Sequence, residues 1–232
     1  MLGLSTISRM HRLLLSICLL SASAAWSQTT SQWRDSLDLL NREIARFPHN
    51  VDLRLRKAAV NVELAQWDYA IEEYARVLSI DPQNVAARYF RAYANMHLRQ
   101  YGLARADYDA LLQRFPRHLE ARLGLATVLE RMGRESDARD ELNRLVDLHP
   151  DSAVAYAARA AFETSRQQWD IALYDWSKAL LLSPGNLEYA VSRIDVLIRM
   201  GRKKEARKEL DGLVSSRRIT RAQLHEWYEK CR

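Results

Sequence analysis

The stretch from residue 82 to residue 116 reads PQNVAARYFRAYANMHLRQYGLARADYDALLQRFP and both begins and ends on a proline. The same 34-residue spacing holds for every proline of the chain: Pro48, Pro82, Pro116, Pro150 and Pro184. A fixed period of this length is typical of helical repeat proteins. Proline cannot continue a helix, and it disfavours helical backbone in the residue before it. The spacing therefore predicts repeated helices that end at Asp81, Phe115, His149 and Ser183.

Five repeats result when the prolines are placed at repeat position 32: residues 51–84, 85–118, 119–152, 153–186 and 187–220. Position 8 is Ala58, Ala92, Ala126 and Ala160, then Ile194. Position 20 is alanine throughout: Ala70, Ala104, Ala138, Ala172 and Ala206. Position 24 is large and apolar: Tyr74, Tyr108, Leu142, Trp176 and Leu210. A small residue at a helix crossing, followed one turn later by a large one, suits close packing of antiparallel helices.

This pattern resembles the tetratricopeptide repeat (TPR) family, in which Ala, then Phe four residues on, precede a proline. The sets Ala70–Tyr74–Pro82 and Ala172–Trp176–Pro184 reproduce its spacing. The resemblance implies an all-α fold, a right-handed α-solenoid of antiparallel helix pairs, with a helix A and a helix B in each repeat. Gly133 and Gly201 are expected to end helix A. The sequence departs from the family at position 4, where the usual aromatic occurs only as Tyr156, and at Arg218, which replaces the last proline.

Two flanking segments are predicted to cap the array. Within residues 26–50, apolar residues recur at helical spacing over 32–47, which predicts an N-terminal capping helix. Residues 220–232 begin with a capping box, Thr220 and Gln223, which predicts a C-terminal capping helix. Its apolar stripe is expected to consist of Leu224, Trp227, Tyr228 and Cys231.

Residues 1–25 differ from the rest of the chain: two arginines precede an apolar run over 13–20 and small residues over 21–25, without any acidic residue. This order is typical of a secretory signal peptide and predicts cleavage after Ala24 or Ala25. An uncleaved anchor is the alternative, but the run is far shorter than the roughly 20 residues of a spanning helix. We therefore expect an exported protein, periplasmic or secreted. Loss of the leader would lower the formal net charge from +6 to +4.

Basic residues at position 7 of helix A recur opposite acidic residues at position 23 of helix B. The predicted ion pairs are Lys57–Glu73, Arg91–Asp107, Arg159–Asp175 and Arg193–Glu209. In repeat 3, Leu125 lies opposite Glu141 and breaks the pattern. We interpret the basic residues as structural and expect no nucleic-acid partner.

A second basic cluster comprises Arg202, Lys203, Lys204, Arg207 and Lys208. We interpret it as a solvated helix face, with an acidic partner or anionic lipid as the alternative. Membrane contact is expected only through a partner or through this weak basic patch.

No pattern in the chain points to catalysis. It has no Gly-rich phosphate loop, nucleophile elbow or HExxH motif. Three of its six histidines, His49, His118 and His149, fall near repeat turns, and Cys231 loses its only possible partner, Cys18, with the leader. We expect no enzymatic activity, no cofactor, no metal and no internal disulfide.

The resemblance also implies a working surface, because the concave face of TPR proteins comes largely from helix A positions 2, 5, 9 and 12. The corresponding groove residues, with His97 beside them, are Tyr89, Tyr93, Met96, Leu123, Thr127, Glu130, Ala157, Ala161 and Thr164. An aromatic and methionine wall opposite small residues is similar to a peptide groove. The alternative is that Tyr89 and Tyr93 only pack against the adjacent repeat.

The leading hypothesis is a non-enzymatic scaffold that binds a peptide segment of another cell-envelope protein through this groove. The second hypothesis is a structural subunit of a larger envelope assembly that uses the convex face or the ends of the array. The sequence identifies neither the partner nor the oligomeric state.

Overall fold

The computed structural model describes residues 30–216 and 219–232. The predicted leader and Arg218 lie outside these residues. Within them the chain is all-α and forms twelve helices. The helices are α1 Thr30–Arg46, α2 Val51–Glu63, α3 Trp67–Ile80, α4 Val85–His97, α5 Tyr101–Arg114, α6 Leu119–Arg131, α7 Glu135–Leu148, α8 Ala153–Ser165, α9 Trp169–Leu182, α10 Leu187–Arg199, α11 Lys203–Ser215 and α12 His225–Lys230. No described helix has the length and hydrophobicity needed to span a bilayer.

The chain forms two compact bodies, and the boundary between them falls inside α5. The N-terminal body extends to Asp107, and the C-terminal body begins at Tyr108. The predicted helix pairs are present as α2/α3, α4/α5, α6/α7, α8/α9 and α10/α11. The four predicted ends of helix B are confirmed to within one residue. The helices end at Ile80, Arg114, Leu148 and Leu182, each one residue before the predicted end.

Every helix A begins with a side-chain cap at the residue immediately before its repeat. In each cap, the side chain accepts a hydrogen bond from the backbone N–H three residues further on, which satisfies one free donor of the first turn. The capping residues are Asn50, Asn84, His118, Ser152 and Asn186.

Every helix A ends in left-handed backbone at repeat position 15. Gly133 and Gly201 have φ of 74° and 75°, which confirms their predicted role as C-terminal caps. The other three repeats adopt the same conformation without glycine, with φ of 54° at Ala65, 60° at Arg99 and 59° at Gln167. Left-handed backbone costs an L-residue about 1–2 kcal/mol, so these three turns are strained.

The position-20 alanines lie at the centre of each repeat, and all five are fully buried. In the N-terminal body, Ala70 packs with Ala58, Tyr74 and Val77. In the C-terminal body, Trp176 fills the corresponding place and packs with Ala172. The predicted small-to-large contact between helices A and B therefore forms the core of the repeat.

Both flanking segments are helical. Helix α1 packs on α2, and α12 packs on α11. The capping box is formed, since Gln223 Oε1 accepts from the Thr220 N–H at 2.9 Å. Residues 221–224 nevertheless form a turn, so the last helix is shorter than predicted. Leu224, Tyr228 and Cys231 are buried, whereas Trp227 is only half-buried.

Candidate functional site

Three rings gather on one surface of the N-terminal body. Trp67 opens α3, and Tyr93 and His97 lie one turn apart on α4. The His97 ring stacks on Trp67 with 4.0 Å between ring centroids and 6° between planes. Tyr93 meets both rings edge-on, at 4.6 Å from His97 and 6.1 Å from Trp67. We call Trp67, Tyr93 and His97 the aromatic cluster.

The aromatic cluster is partly open to solvent. Trp67, Tyr93 and the neighbouring Met96 are half-buried, and His97 is exposed. The partial desolvation of its ring, which stacks on Trp67, lowers the pKa of His97 below its usual value and favours the neutral imidazole at neutral pH. The cluster is therefore an uncharged, apolar surface at neutral pH. Tyr89, one turn before Tyr93, is also half-buried and packs edge-on against Phe90 at 5.1 Å.

Sequence reasoning named Tyr93 and His97 but missed Trp67. Trp67 belongs to helix B of the preceding repeat, outside the helix A positions from which the groove was drawn. A signal was present, because position 17 is aromatic in three of the five repeats. These residues are Trp67, Tyr101 and Trp169.

The groove residues predicted on α6 lie in the C-terminal body and are half-buried. The Thr127 hydroxyl donates to the Leu123 carbonyl at 2.9 Å. Glu130 accepts from Arg166 Nη1 at 2.9 Å, so its charge is neutralised within the protein. Leu123 offers apolar surface on this helix.

The groove residues predicted on α8 differ in accessibility. Ala161 is exposed, and Thr164 is half-buried and accepts from Trp176 Nε1 at 3.2 Å. Ala157 is only 8% exposed, because it packs in the core around Trp176, and it therefore offers little surface to a ligand. This side of the predicted groove therefore offers a smaller surface than the sequence suggested.

The four predicted ion pairs are all present and link helix A to helix B. The N–O distances are 2.9 Å for Lys57–Glu73, 2.7 Å for Arg91–Asp107, 2.7 Å for Arg159–Asp175 and 2.9 Å for Arg193–Glu209. Three of the carboxylates are buried, those of Glu73, Asp107 and Asp175. Since these charges are neutralised inside the repeats, they form no basic surface for an external anion.

A second set of arginines, at repeat position 4, went unrecognised in the sequence. In the first three repeats, this arginine donates to the carbonyl of the preceding proline and contacts the position-23 carboxylate. The connected sets are Pro48–Arg54–Glu73, Pro82–Arg88–Asp107 and Pro116–Arg122–Glu141. Arg122 thereby supplies the partner that Leu125 cannot give Glu141. In these three repeats, an arginine that hydrogen-bonds to the proline turn stands in place of the aromatic residue usual at position 4.

The described residues contain no group of three His, Cys, Asp or Glu side chains that could hold a metal ion. His118 is used as a helix cap, and His149 follows the last residue of α7.

Two family models described as tetratricopeptide repeat match the chain, over residues 61–112 and 96–162. A TPR protein from Parabacteroides merdae ATCC 43184 is similar in structure, with a TM-score of 0.68, 18% identity, and coverage of 87% of this chain and 79% of that chain. The TPR protein TTC0263 from Thermus thermophilus is similar with a TM-score of 0.59 and 19% identity, and the match covers 78% of this chain and 98% of that chain. YrrB, described as a TPR protein with an unusual peptide-binding site, is similar with a TM-score of 0.56 and 16% identity. This match covers 81% of this chain and 96% of that chain. No curated relative matches the chain.

The fold and these matches define a helix-pair repeat protein of the α-solenoid class. The chain is a tetratricopeptide repeat protein. The TPR fold is a scaffold for protein–protein interaction and is typically non-catalytic.

Proposed function

We propose that this TPR protein is exported and binds a segment of another cell-envelope protein on its helix-A surface, with the aromatic cluster as the anchor point. The proposal of export rests on the order of basic, apolar and small residues in 1–25. The proposal of binding rests on the fold and on the half-exposed rings of Trp67, Tyr93 and His97.

The aromatic cluster is the observation that carries the binding proposal. Tryptophan and tyrosine are enriched among residues that dominate binding energies. Here Trp67 and Tyr93 are held in place by ring contacts to each other and to His97, so they lose little freedom when a ligand binds. Met96 beside them can adapt to different side chains. An uncharged surface of this kind suits an apolar or aromatic segment, and the similar protein YrrB is itself described as peptide-binding.

The second candidate is a structural subunit that contacts its assembly through helix-B surfaces. One observation favours it: helix α9 exposes large apolar residues, including Leu181 at 72%. The two candidates use different surfaces, so substitutions can separate them.

Site-specific photo-crosslinking in the native cells tests the proposed function. A benzoylphenylalanine at Met96 places the reactive group beside the aromatic cluster. The control is the same group at Tyr69, which is exposed on α3. We expect a discrete cross-linked envelope protein from position 96 only, and we expect Trp67→Ala to abolish it. Identical products from positions 96 and 69, or a product that survives Trp67→Ala, would contradict the proposal.

Export is tested separately by N-terminal sequencing of the protein from fractionated cells. We expect a mature N-terminus at residue 25 or 26. An intact N-terminus on cytoplasmic protein would refute export and leave the binding proposal standing.

A further inference from the structure

Helix α9, in the C-terminal body, exposes a row of apolar side chains. Ile171, Tyr174 and Leu181 are 46%, 55% and 72% exposed. Their spacing places them on one face of the helix together with Lys178. The Lys178 ammonium lies 5.5 Å from the centre of the Tyr174 ring. We call these four residues the α9 stripe. Three large apolar side chains exposed on one helix face, unlike a single exposed leucine, are typical of an interaction surface.

The other repeats show that the fold does not require this row. The α9 stripe occupies repeat positions 19, 22, 26 and 29. Repeat 3 has Asp137, Asp140, Arg144 and Asp147 there, and repeat 5 has Glu205, Lys208, Gly212 and Ser215. No other repeat has more than one large apolar residue at these positions. Because the other four repeats build the same helix pair without such a row, the α9 stripe serves something other than repeat packing.

An acidic band lies along one side of the α9 stripe. Arg159 links the neighbouring helices α7 and α9, since it donates to Asn143 at 3.1 Å and to Asp175 at 2.7 Å. Asp140 and Asp147 lie three residues before and four residues after Asn143, on the same side of α7. Both are exposed, and neither has an ion-pair partner among residues 30–216 and 219–232. Arg144 lies between them on α7, but its charge is neutralised by Glu141 at 2.7 Å, so a net negative charge borders the stripe.

A basic band belongs to the next helix B, α11. Helix α10 packs on both α9 and α11, which places α11 in the repeat that follows the stripe. Lys203, Lys204 and Lys208 of α11 are exposed and have no ion-pair partner in the described part of the chain. The charge of Arg202, in contrast, is neutralised by Glu205 at 2.7 Å. Repeat position 22 thus has an acid on α7, an aromatic ring on α9 and a base on α11: Asp140, Tyr174 and Lys208.

We propose that the α9 stripe is covered by the same surface of a second copy of this chain in a two-fold symmetric dimer. The two-fold axis lies between the two copies and runs parallel to α9. It packs one stripe on the other and places α7 of each copy opposite α11 of the other. Asp140 of each copy then meets Lys208 of the other at the same height along the helices. A two-fold interface must be complementary to itself. The sequence of acidic, apolar and basic bands meets this condition.

The same arrangement predicts a reversible dimer. Its apolar centre is only one helix wide, and its charge pairs are exposed and screened by salt. Interfaces at the small end of the specific range are typically weak, so we expect a Kd on the order of micromolar. Lys178 would meet its own copy across the axis, which weakens the contact by like-charge repulsion.

Sedimentation equilibrium of the purified full chain tests the dimer. We expect concentration-dependent dimers for the unsubstituted protein, at least a tenfold weaker association for Leu181→Asp, and a stronger association for Lys178→Leu. Tyr69→Asp is the matched control, because Tyr69 is 60% exposed at position 19 of repeat 1. A monomer at all concentrations up to about 1 mM, three orders above a micromolar Kd, would overturn the proposal, as would an equal effect of Tyr69→Asp.

A mixing experiment tests the pairing of the bands. Asp140→Lys gives a protein with two basic bands, and Lys208→Asp gives one with two acidic bands. Each variant should dimerise poorly alone, whereas an equimolar mixture should form heterodimers at least as stable as the original. A mixture that associates no better than either variant would overturn the two-fold arrangement. The result is independent of the aromatic cluster, so it can fail while the proposed function stands.

Discussion

Removal of the Asp175 carboxylate tests how the helix pairs are held together. Asp175 has no solvent exposure and accepts from Arg159 Nε at 2.7 Å and Nη2 at 2.8 Å. The hydrogen bond to Asp175 raises the pKa of Arg159, so the guanidinium is charged at every accessible pH. In Asp175→Ala, the Arg159 guanidinium loses its counter-ion although its side chain is only 16% exposed. It keeps its hydrogen bond to Asn143, which carries no charge. Breaking a buried pair from one side typically costs about 3–5 kcal/mol of unfolding free energy.

The matched control is Glu209→Ala, which breaks the equivalent pair of repeat 5. Both partners there, Glu209 and Arg193, have side chains 28% exposed. Solvent can replace the lost contact, so we expect a cost of at most about 1 kcal/mol.

Urea unfolding compares the two variants. With a slope of about 2 kcal/mol per molar urea, Asp175→Ala should lower the midpoint by about 1.5–2.5 M and Glu209→Ala by about 0.5 M or less. Arg159→Met combined with Asp175→Leu should recover most of the loss, because apolar residues tolerate burial. Equal shifts for the two alanine variants would refute the assignment of stability to burial of the pair.

Three further predictions concern the turns, the core and the aromatic cluster. Gln167→Gly should raise the unfolding free energy by about 1 kcal/mol by relieving left-handed backbone, and Gly201→Ala should lower it similarly; the urea midpoints of both variants check this. Ala104→Leu should cost about 1–3 kcal/mol through overpacking of a fully buried site, whereas Ala106→Leu, exposed on the same helix, should leave the midpoint nearly unchanged. Because the pKa of His97 is lowered in the folded chain, its imidazole is protonated at a higher pH in the unfolded chain than in the folded one. Its contribution to stability is present above the unfolded pKa of about 6.5 and is lost below it, so His97→Gln should flatten the decline between pH 7.5 and 5.5.

The recurring prolines and position-20 alanines carried the resemblance to the TPR family that predicted the helix pairs, and both act through local rules that recur in every repeat. Proline ends a helix wherever it occurs, and only a small residue fits where two helices cross. The ion pairs between positions 7 and 23 were predictable for the same reason. Each pair is set by one spacing within one repeat.

Features that depend on the path of long side chains were not predictable. Arg122 reaches both the Pro116 carbonyl and Glu141, 19 residues away, and no single-repeat spacing indicates which acid a long arginine will contact. The turn at Arg99 was missed because arginine has no preference for left-handed backbone, so the residue type gives no signal for it. Trp67 was missed because the cluster joins helix B of one repeat to helix A of the next.

The most direct test of the proposed binding surface is a pair of measurements on Tyr93→Ala. The first is its affinity for the segment captured by cross-linking at position 96, and the second is its urea midpoint. Because Tyr93 is half-exposed, we expect a loss of at least about 2 kcal/mol in binding, close to thirtyfold, with a smaller loss of stability. Tyr74→Ala, which truncates a ring only 2% exposed, should instead lower stability by about 3 kcal/mol or more. Unchanged affinity together with a loss of stability as large as that of Tyr74→Ala would show that Tyr93 is a packing residue and contradict the proposal.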